Sequence, residues 1–441
     1  METSTTEDPH EGHSFGMPEK LSAWRDKLGE KAREEPKFRF YSLYGLVTHP
    51  DTLQWAWTRV KRNHGAPGVD GVDFAEIEEA EGGVEYFLKV LHEELKGKRY
   101  RAQAVRRVYI EKENGKMRPL GIPTIKDRVA QMAVKLILEP IFEADFNDCS
   151  YGYRPGRGAK DAVEAIARHV KTGKTEVYDA DLSGYFDTIP HDKLISAIRR
   201  RVVDGGVLGL IRQWLCATIV ESDGKRKDPG GKGTPQGGVI SPLLSNIYLH
   251  WFEVFAQRES QRTGLEIEIV RYADDFVILA KQLPDSFMKF VEETLEKRMG
   301  LIVNREKTGR FNLRNSGQTL CFLGYALRFD RDLKGRSWKY LNIFPSAKSL
   351  KRERRKLLKM TDSHQCFTPI PELIKWVNVQ MKGWARYYAF GYPTMGYREI
   401  NRYARRRMTI HLKRRSQRKY RTANGRSFYE ELSNLGLVYL K

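Results

Sequence analysis

The secondary structure that the sequence predicts changes in character once, near Pro345. Before this residue, short runs rich in β-branched and aromatic residues alternate with segments of helical apolar spacing, and after it only helical spacing is found. Such a pattern favours an α+β body followed by a helical domain. The chain has 441 residues, of which 40% are hydrophobic, so it can form a sizeable core and wholesale disorder is excluded.

The basic residues are concentrated in the helical part. Residues 345–441 hold 23 Lys and Arg against 6 Asp and Glu, whereas the other 344 residues hold 54 against 50. A strongly positive domain attached to a near-neutral body indicates a polyanionic partner. The alternative is a solvated charged surface. The aromatic residues interleaved with these charges favour the first interpretation.

Several absences bear on location. No apolar run is long enough to span a membrane, and residues 1–16 lack the apolar core of a secretory signal. The four cysteines lie far apart and form no CxxC pair, which fits a reducing compartment. We therefore expect a cytoplasmic protein, in a prokaryotic cytosol or nucleoid or in an organelle matrix, with no membrane partner.

Three carboxylates adjoin strand-like runs. Asp274 and Asp275 lie between the runs 267–271 and 276–280, and Asp181 follows the run 177–180. If these strands are neighbours, the three side chains share a site. Clustered carboxylates are costly unless cations neutralise them, and Mg²⁺ prefers oxygen ligands. Two such ions, ~3.5–4 Å apart, assist in-line displacement at phosphorus. The alternative is that Asp-Asp is ordinary turn chemistry.

Three sequence motifs, which include the three carboxylates, favour the metal site over an ordinary turn. Tyr272-Ala273-Asp274-Asp275 resembles the YxDD sequence of reverse transcriptase motif C. Residues 181–187 and 234–244 resemble motifs A and B. The segments 65–71 and 150–156 are typical of one branch, the reverse transcriptase/maturase proteins encoded by group II introns. This resemblance runs from about Lys37 to the C-terminus. It implies that Asp181, Asp274 and Asp275 bind two Mg²⁺ ions, with Mn²⁺ as a substitute.

The resemblance also implies roles around the incoming nucleotide. Lys112 and Arg118 would contact its triphosphate, as charge-assisted hydrogen bonding to phosphate requires. Phe186 would select deoxynucleotides by blocking a 2′-hydroxyl, and Gln236 would contact the nucleotide or the template backbone. Lys307 would act as a general acid toward pyrophosphate. The alternatives are, in the same order, two residues of a solvated turn, a core aromatic, a polar loop residue and a surface lysine.

The segment Gly383-Trp384-Ala385-Arg386-Tyr387-Tyr388 resembles the core of the intron maturase domain, which also serves as the polymerase thumb. Positive helices suit the phosphates of a structured RNA, with strongly salt-dependent affinity, while base and ribose contacts supply specificity. The arginines expected to face RNA are Arg354, Arg355, Arg386, Arg405, Arg406, Arg407, Arg414 and Arg415.

The resemblance divides the chain into four parts. Residues 1–36 form a polar, partly disordered segment, and residues 37–104 an N-terminal extension with the start of the fingers. Residues 105–344 form the fingers and palm of a right-hand polymerase. Residues 345–441 form the basic helical thumb/maturase domain. The chain has neither the length nor the paired cysteines for an HNH endonuclease domain, so none is expected.

The predicted function is that of an RNA-directed DNA polymerase encoded by a group II intron. It would extend a DNA primer on an RNA template with dNTPs, bind the intron RNA, and assist splicing and retrohoming into target DNA. The oligomeric state is left open. One alternative is a splicing factor without polymerase activity, which would not need the three carboxylates. The other is a free-standing reverse transcriptase used in host defence or DNA repair, which the maturase-like C-terminus disfavours.

Overall fold

The computed structural model describes residues 16–111, 115, 117–332, 339–416, 418, 420–422 and 425–441. Lys112 lies outside these residues, as do residues 1–15 of the segment predicted to be partly disordered.

The N-terminal part is helical. The helices are α1 (Glu19–Glu34), α2 (Tyr44–Val47), α3 (Pro50–Lys61), α4 (Phe74–Glu79), α5 (Gly83–Lys96) and α6 (Ile125–Glu143). Helices α1, α2 and α3 pack on a long central helix, α6, while α5 packs on α3 and α4. Their buried side chains, such as Leu21 and Leu53, join the largest core of the molecule.

The apolar spacing of residues 127–142 predicts a helix that ends near Pro140, but α6 is longer. The helix continues to Glu143. Proline has no N–H to donate to the carbonyl four residues earlier, that of Leu136. The Arg25 guanidinium donates to this carbonyl instead, and pairs with Glu139 at 3.0 Å. A partner from a distant helix thus satisfies the group that proline leaves open.

The described part of the chain has eleven strands in three sheets, ordered β2–β1–β4–β5, β6–β7–β3–β8 and β11–β10–β9. The strands are β1 (Val105–Glu111), β2 (Met117–Ile122), β3 (Glu176–Ala180), β4 (Ile219–Val220), β5 (Arg226–Lys227), β6 (Ile267–Tyr272), β7 (Asp275–Ala280), β8 (Gly309–Asn312), β9 (Leu320–Phe322), β10 (Tyr325–Arg331) and β11 (Lys339–Pro345). The first sheet contains the predicted hairpin, because Glu111 of β1 lies opposite Met117 of β2.

Further helices of the body flank the sheet that contains β3 and β7. They are α7 (Ala159–Lys171), α8 (Tyr185–Thr188), α9 (His191–Ile198), α10 (Gly205–Leu215), α11 (Ser241–Thr263) and α12 (Asp285–Glu293), which continues as a π-helical turn, Thr294–Arg298. On one face of the sheet, Phe276 of β7 packs on Phe252 of α11. On the other face, Val277 and Leu279 belong to a second core, shared with α7 and the C-terminal helices.

Two local details differ from what the sequence predicts. The β-like run 320–328 predicts one strand, but it forms β9 and β10, joined at Leu323 and Gly324 with φ angles of 49° and 82°. The turn has no signal in the sequence pattern, because apolar residues lie on both sides of it. Ser241, which precedes Pro242, is predicted to be the N-cap of α11. It is instead the first residue of the helix, and its hydroxyl donates to the carbonyl of Pro235 at 2.9 Å.

The C-terminal domain is helical, as predicted. Its interior is lined by apolar residues of three helices, including Leu357, Val377 and Met408, and a fourth helix that was not predicted lies at its end. The helices are α13 (Ala347–Met360), α14 (Ile370–Tyr387), α15 (Thr394–Arg414) and α16 (Phe428–Asn434). Within the described ranges, no helix is both long and apolar enough to cross a bilayer.

Candidate active site

A tight hairpin carries two of the predicted carboxylates. Tyr272 at the end of β6 pairs with Asp275 at the start of β7, so Ala273 and Asp274 form the turn between them. Strand β3 lies beside β7, with Ala180 opposite Phe276. The next position in this register sets Asp181 across from Asp275. The sheet therefore brings the three predicted carboxylates together.

Burial and the neighbouring carboxylates raise the pKa values of Asp274 and Asp275. The pKa of Asp274 is raised by burial and, to a lesser degree, by the Asp181 carboxylate. The pKa of Asp275 is raised to about 6, mainly by burial and to a lesser degree by the carboxylates of Asp274 and Asp181. Lys307 and Lys348 act in the opposite direction on Asp275. The site thus concentrates negative charge that a bound cation would stabilise.

Asp181 is held by two side chains of the loop that follows the π-helical turn. Lys307 Nζ lies 3.0 Å from Asp181 Oδ2, and Asn304 Nδ2 donates to the same oxygen at 2.9 Å. The Asn304 backbone N–H also donates to the Asp181 carbonyl, at 2.8 Å. The predicted general acid therefore contacts a predicted metal ligand. Asn304 was missed, because an asparagine in a polar loop has no distinguishing sequence signal.

The donor chemistry of these residues fits divalent cations that prefer oxygen ligands. However, the described part of the chain contains no group of three His, Cys, Asp or Glu side chains arranged to hold a metal ion. Oδ2 of Asp181 is occupied by Lys307 and Asn304. A cation bound through Oδ2 of Asp181 would therefore have to displace Lys307 from this oxygen.

A fourth carboxylate, Asp179, lies on the same strand face as Asp181, two residues earlier. Its pKa is raised to about 7 by burial and by the carboxylates of Asp275 and Asp181. The sequence analysis did not select it. The alternation of the strand, which places residues i and i+2 on one face, was the signal that could have identified it.

A buried arginine supports the hairpin from below. Arg271 is 0% exposed, and its guanidinium donates to Glu253 at 2.5 Å, to Asn246 at 2.8 Å and to the Ser150 hydroxyl at 2.6 Å. It also donates to the carbonyl of Ala273 at 3.0 Å. Ala273 has a φ of 58°, a conformation that non-glycine residues rarely adopt. The network holds this uncommon turn in place.

The segment 150–153 packs directly on the turn. The Tyr151 N–H donates to the carbonyl of Arg271 at 2.9 Å, and Asn246 donates to the carbonyl of Gly152 at 2.8 Å. A Cβ at Gly152 would overlap the backbone nitrogen of Ala273. Burial raises the pKa of Tyr153, and the nearby Asp274 carboxylate raises it further. The sequence marked this segment as typical of a family but assigned it no part in the site.

Two of the predicted nucleotide contacts meet beside the carboxylates. Arg118 Nε donates to Gln236 Oε1 at 2.9 Å, and the backbone of Gln236 accepts from the Gly121 N–H at 2.6 Å. Phe186 is 6% exposed and belongs to the main core. Its carbonyl accepts from the N–H of Thr234, in the loop that carries Gln236. Lys112, as noted, is outside the described residues.

Three of the arginines predicted to bind RNA donate to backbone carbonyls of the loop between α13 and α14. Arg407 bonds the hydroxyl and carbonyl of Thr361 at 3.1 and 3.2 Å, and Arg414 donates to the same carbonyl. Arg415 donates to the carbonyl of Thr368 at 2.6 Å. These contacts hold the helical domain together, a role separate from the predicted one.

The other predicted arginines are more accessible. Arg354 pairs with Glu399 at 2.9 Å across α13 and α15. Of the arginines predicted to bind RNA, four have exposed side chains: Arg355, Arg386, Arg405 and Arg406.

The sequence matches two family models, in the order of the two structural parts. Residues 110–341 match the family described as reverse transcriptase (RNA-dependent DNA polymerase). Residues 350–429 match the group II intron maturase-specific domain. The chain belongs to the group II intron reverse transcriptase/maturase family. This confirms the predicted right-hand polymerase with a helical maturase domain, and with it RNA-directed DNA polymerase activity.

Two curated relatives and one solved structure are similar to this chain. Protein YkfC of Escherichia coli (strain K12) is 35% identical over 343 residues, which cover 70% of this chain and 88% of YkfC. The group II intron-encoded protein LtrA of Lactococcus lactis subsp. cremoris is 31% identical over 368 residues, covering 69% of this chain and 60% of LtrA. A solved telomerase structure from Candida albicans is 13% identical with a TM-score of 0.42, covering 77% of this chain and 62% of that chain.

Membership of this family implies two general properties. Members of the reverse transcriptase family use divalent metal ions. A reverse transcriptase joined to a maturase domain implies binding of intron RNA and of nucleic acid substrates. The particular ion, substrates and residues are matters of proposal.

Proposed function

We propose that this protein extends a DNA primer on an RNA template, with dNTPs as substrates and Asp181, Asp274 and Asp275 as ligands of two Mg²⁺ ions. Mn²⁺ would serve as a substitute. The observation that carries the proposal is the convergence of the three carboxylates, across β3 and the β6–β7 hairpin, in a site where they raise the pKa values of Asp274 and Asp275.

Each nearby side chain has a part in this proposal. When bound, the ions activate the primer 3′-hydroxyl and neutralise the charge that develops on the phosphates. Arg118, oriented by Gln236, contacts the triphosphate, as does Lys112. Phe186 excludes a 2′-hydroxyl from the base of the site. Once Asp181 binds metal, the Lys307 ammonium is free to donate a proton to the departing pyrophosphate.

The remaining parts of the chain have roles outside the chemical step. Residues 37–104 begin the fingers, residues 105–344 complete the fingers and palm, and residues 345–441 form the thumb and maturase domain. The exposed arginines of this last domain bind the intron RNA, which the protein folds for splicing and later carries to its target DNA. The protein acts where intron transcripts are made, in a prokaryotic cytosol or an organelle matrix.

The polymerase proposal is tested with Asp274→Asn, which removes the charge and keeps the shape. We expect extension of a DNA primer on an RNA template to be abolished, because an amide does not replace a carboxylate at a divalent cation. Asp285→Asn is the matched control, since Asp285 is exposed and pairs with Arg310. Extension by Asp274→Asn at the wild-type rate would refute the metal assignment.

The maturase proposal has a separate readout. Splicing of a group II intron RNA at low Mg²⁺ is measured with and without the protein. The Asp274→Asn variant should stimulate splicing as the wild type does, because the splicing chemistry belongs to the RNA and the carboxylates do not contribute to it. No stimulation by either protein would contradict the splicing role and leave the polymerase role standing.

A further inference from the structure

The near-neutral body contains a local concentration of positive charge. Two neighbouring surface clefts, of about 430 and 790 Å³, share Arg39 and Arg200 in their walls. The carboxylate site contributes no residue to either cleft. The exposed Lys and Arg residues that line them define what we call the arginine groove: Lys37, Arg39, Arg199, Arg200, Arg212 and Arg258.

Two of the segments that form the groove, 37–41 and 199–203, are distant in the sequence and are joined by a buried contact. Phe40 is buried, and its N–H donates to the carbonyl of Arg201 at 2.7 Å, while its carbonyl accepts from Val203 N at 2.8 Å. Arg201, also buried, donates to the carbonyl of Ala32 at 2.7 Å. The segment 37–41 is thereby fixed against the end of α9. Arg39 is held at the same cleft as Arg199.

The groove residues lack acidic partners. None of the six side chains forms an ion pair or a hydrogen bond with any residue that the structure describes. The one carboxylate in the walls, that of Asp145, pairs with Arg201 at 3.1 Å. Gathering like charges opposes folding unless an anion binds them. The Arg200 guanidinium lies 5.3 Å from the centre of the Trp251 ring, which limits its orientations.

We propose that the arginine groove is a second RNA-binding surface, separate from the helical maturase domain, and that it binds the phosphate backbone of a folded RNA. Guanidinium groups match phosphate oxygens in a bidentate manner. Tyr41, two residues after Arg39, is 71% exposed and can stack on an unpaired base. The inference rests on the proposed function in taking RNA as the partner, and it adds a site on the body of the polymerase.

The test uses the full-length triple variant Arg39→Gln, Arg199→Gln and Arg212→Gln, which removes three exposed charges without removing a ring contact. The probe is a labelled 50-nucleotide hairpin RNA with single-stranded arms. We expect its affinity to fall roughly 10-fold or more at 150 mM KCl, and the dependence of log affinity on log salt to flatten by about 2. The unfolding temperature should be unchanged or higher.

The matched control removes three exposed charges elsewhere on the body, through Lys89→Gln, Arg99→Gln and Arg168→Gln. Its RNA affinity should stay close to that of the wild type. Equal losses in the two triple variants would mean that only net charge matters, and would overturn the proposal. Unchanged RNA affinity in the groove variant would also overturn it, leaving a solvated surface or a site for an acidic protein. Extension of a pre-annealed primer, measured at saturating protein, reports on the proposed function independently and should be unaffected.

Discussion

Arg271 donates a hydrogen bond of 3.0 Å to the carbonyl oxygen of Ala273, two residues further along the chain. The guanidinium is fully buried and its other donors are taken by Glu253, Asn246 and Ser150. A buried guanidinium with four hydrogen bonds is held in one orientation. The turn that begins at Ala273 and carries the proposed metal ligand Asp274 is therefore positioned by this buried network.

Gly152→Ala should misplace this turn. The added Cβ would overlap the backbone nitrogen of Ala273, and neither backbone can move without breaking bonds to Arg271 or Asn246. A displacement of about 1 Å at a catalytic group costs on the order of 100-fold in rate. We expect a loss of this size in primer extension, measured in single-turnover experiments, with RNA binding retained.

Gly209→Ala is the matched control for that substitution. Gly209 lies inside α10, where a Cβ meets no atom within 4 Å. Alanine should therefore stabilise the helix by about 0.5–1 kcal/mol and leave extension unchanged. Full activity in Gly152→Ala would show that the segment 150–153 does not hold the turn.

Lys307→Gln separates two effects of the same ammonium group. Lys307 competes with cations for Asp181 Oδ2, so its removal should lower the Mg²⁺ concentration that gives half-maximal extension. If it is the general acid, the maximal rate should fall by roughly 100-fold or more. Lys297→Gln, at an exposed lysine that pairs with Glu293, should change neither quantity. A lower rate with unchanged Mg²⁺ dependence would argue against the contact with Asp181.

The parts of the site that local patterns determine could be predicted from the sequence. The β-like runs 267–271 and 276–280 on either side of a short turn predicted the hairpin at Asp274, and one neighbouring strand sufficed to bring Asp181 opposite Asp275. The split at Leu323 and Gly324 was missed because apolar residues continue through it.

Features that depend on distant partners could not be predicted. Arg271 ends a strand-like run, and the side chains that it bonds lie 18 to 121 residues away in the sequence. Pro140 stops a helix by every local rule, yet Arg25, 111 residues earlier than the carbonyl it reaches, allows α6 to continue. The net charge of the body, which is near neutral, does not reveal the arginine groove. Lys37 and Arg258 are distant in the sequence and line one cleft only in the folded chain.

The exposed arginines of the helical domain should bind RNA, whereas the buried contacts should stabilise it. The triple variant Arg355→Gln, Arg405→Gln and Arg406→Gln should weaken binding of the hairpin RNA and lower its salt slope by about 2 to 3. Arg407→Gln should instead lower the free energy of unfolding by roughly 1–3 kcal/mol, because it removes the hydrogen bond to the Thr361 hydroxyl and one of the two to the Thr361 carbonyl. A triple variant with unchanged affinity would return these charges to a solvated surface.

Glu353→Gln should make the stability of the helical domain less dependent on pH. Glu353, 2% exposed on α13, accepts from Gln380 Nε2 at 2.8 Å, and its other oxygen has no partner among the described residues. Burial raises its pKa from 4.5 to about 7. The unfolded chain ionises this carboxyl near pH 4.5 while the folded chain resists ionisation until about pH 7. The wild type should therefore lose stability as the pH rises through this interval, by up to about 3 kcal/mol.

The glutamine variant cannot ionise, so its unfolding temperature should exceed that of the wild type at pH 8 and match it at pH 4.5. Glutamine keeps the carbonyl oxygen that accepts from Gln380, which makes the comparison one of charge alone. Glu372→Gln, at an exposed position in the first turn of α14, should give no difference that depends on pH. Equal unfolding temperatures for Glu353→Gln and the wild type across this range would mean that the carboxyl reaches water in the folded domain.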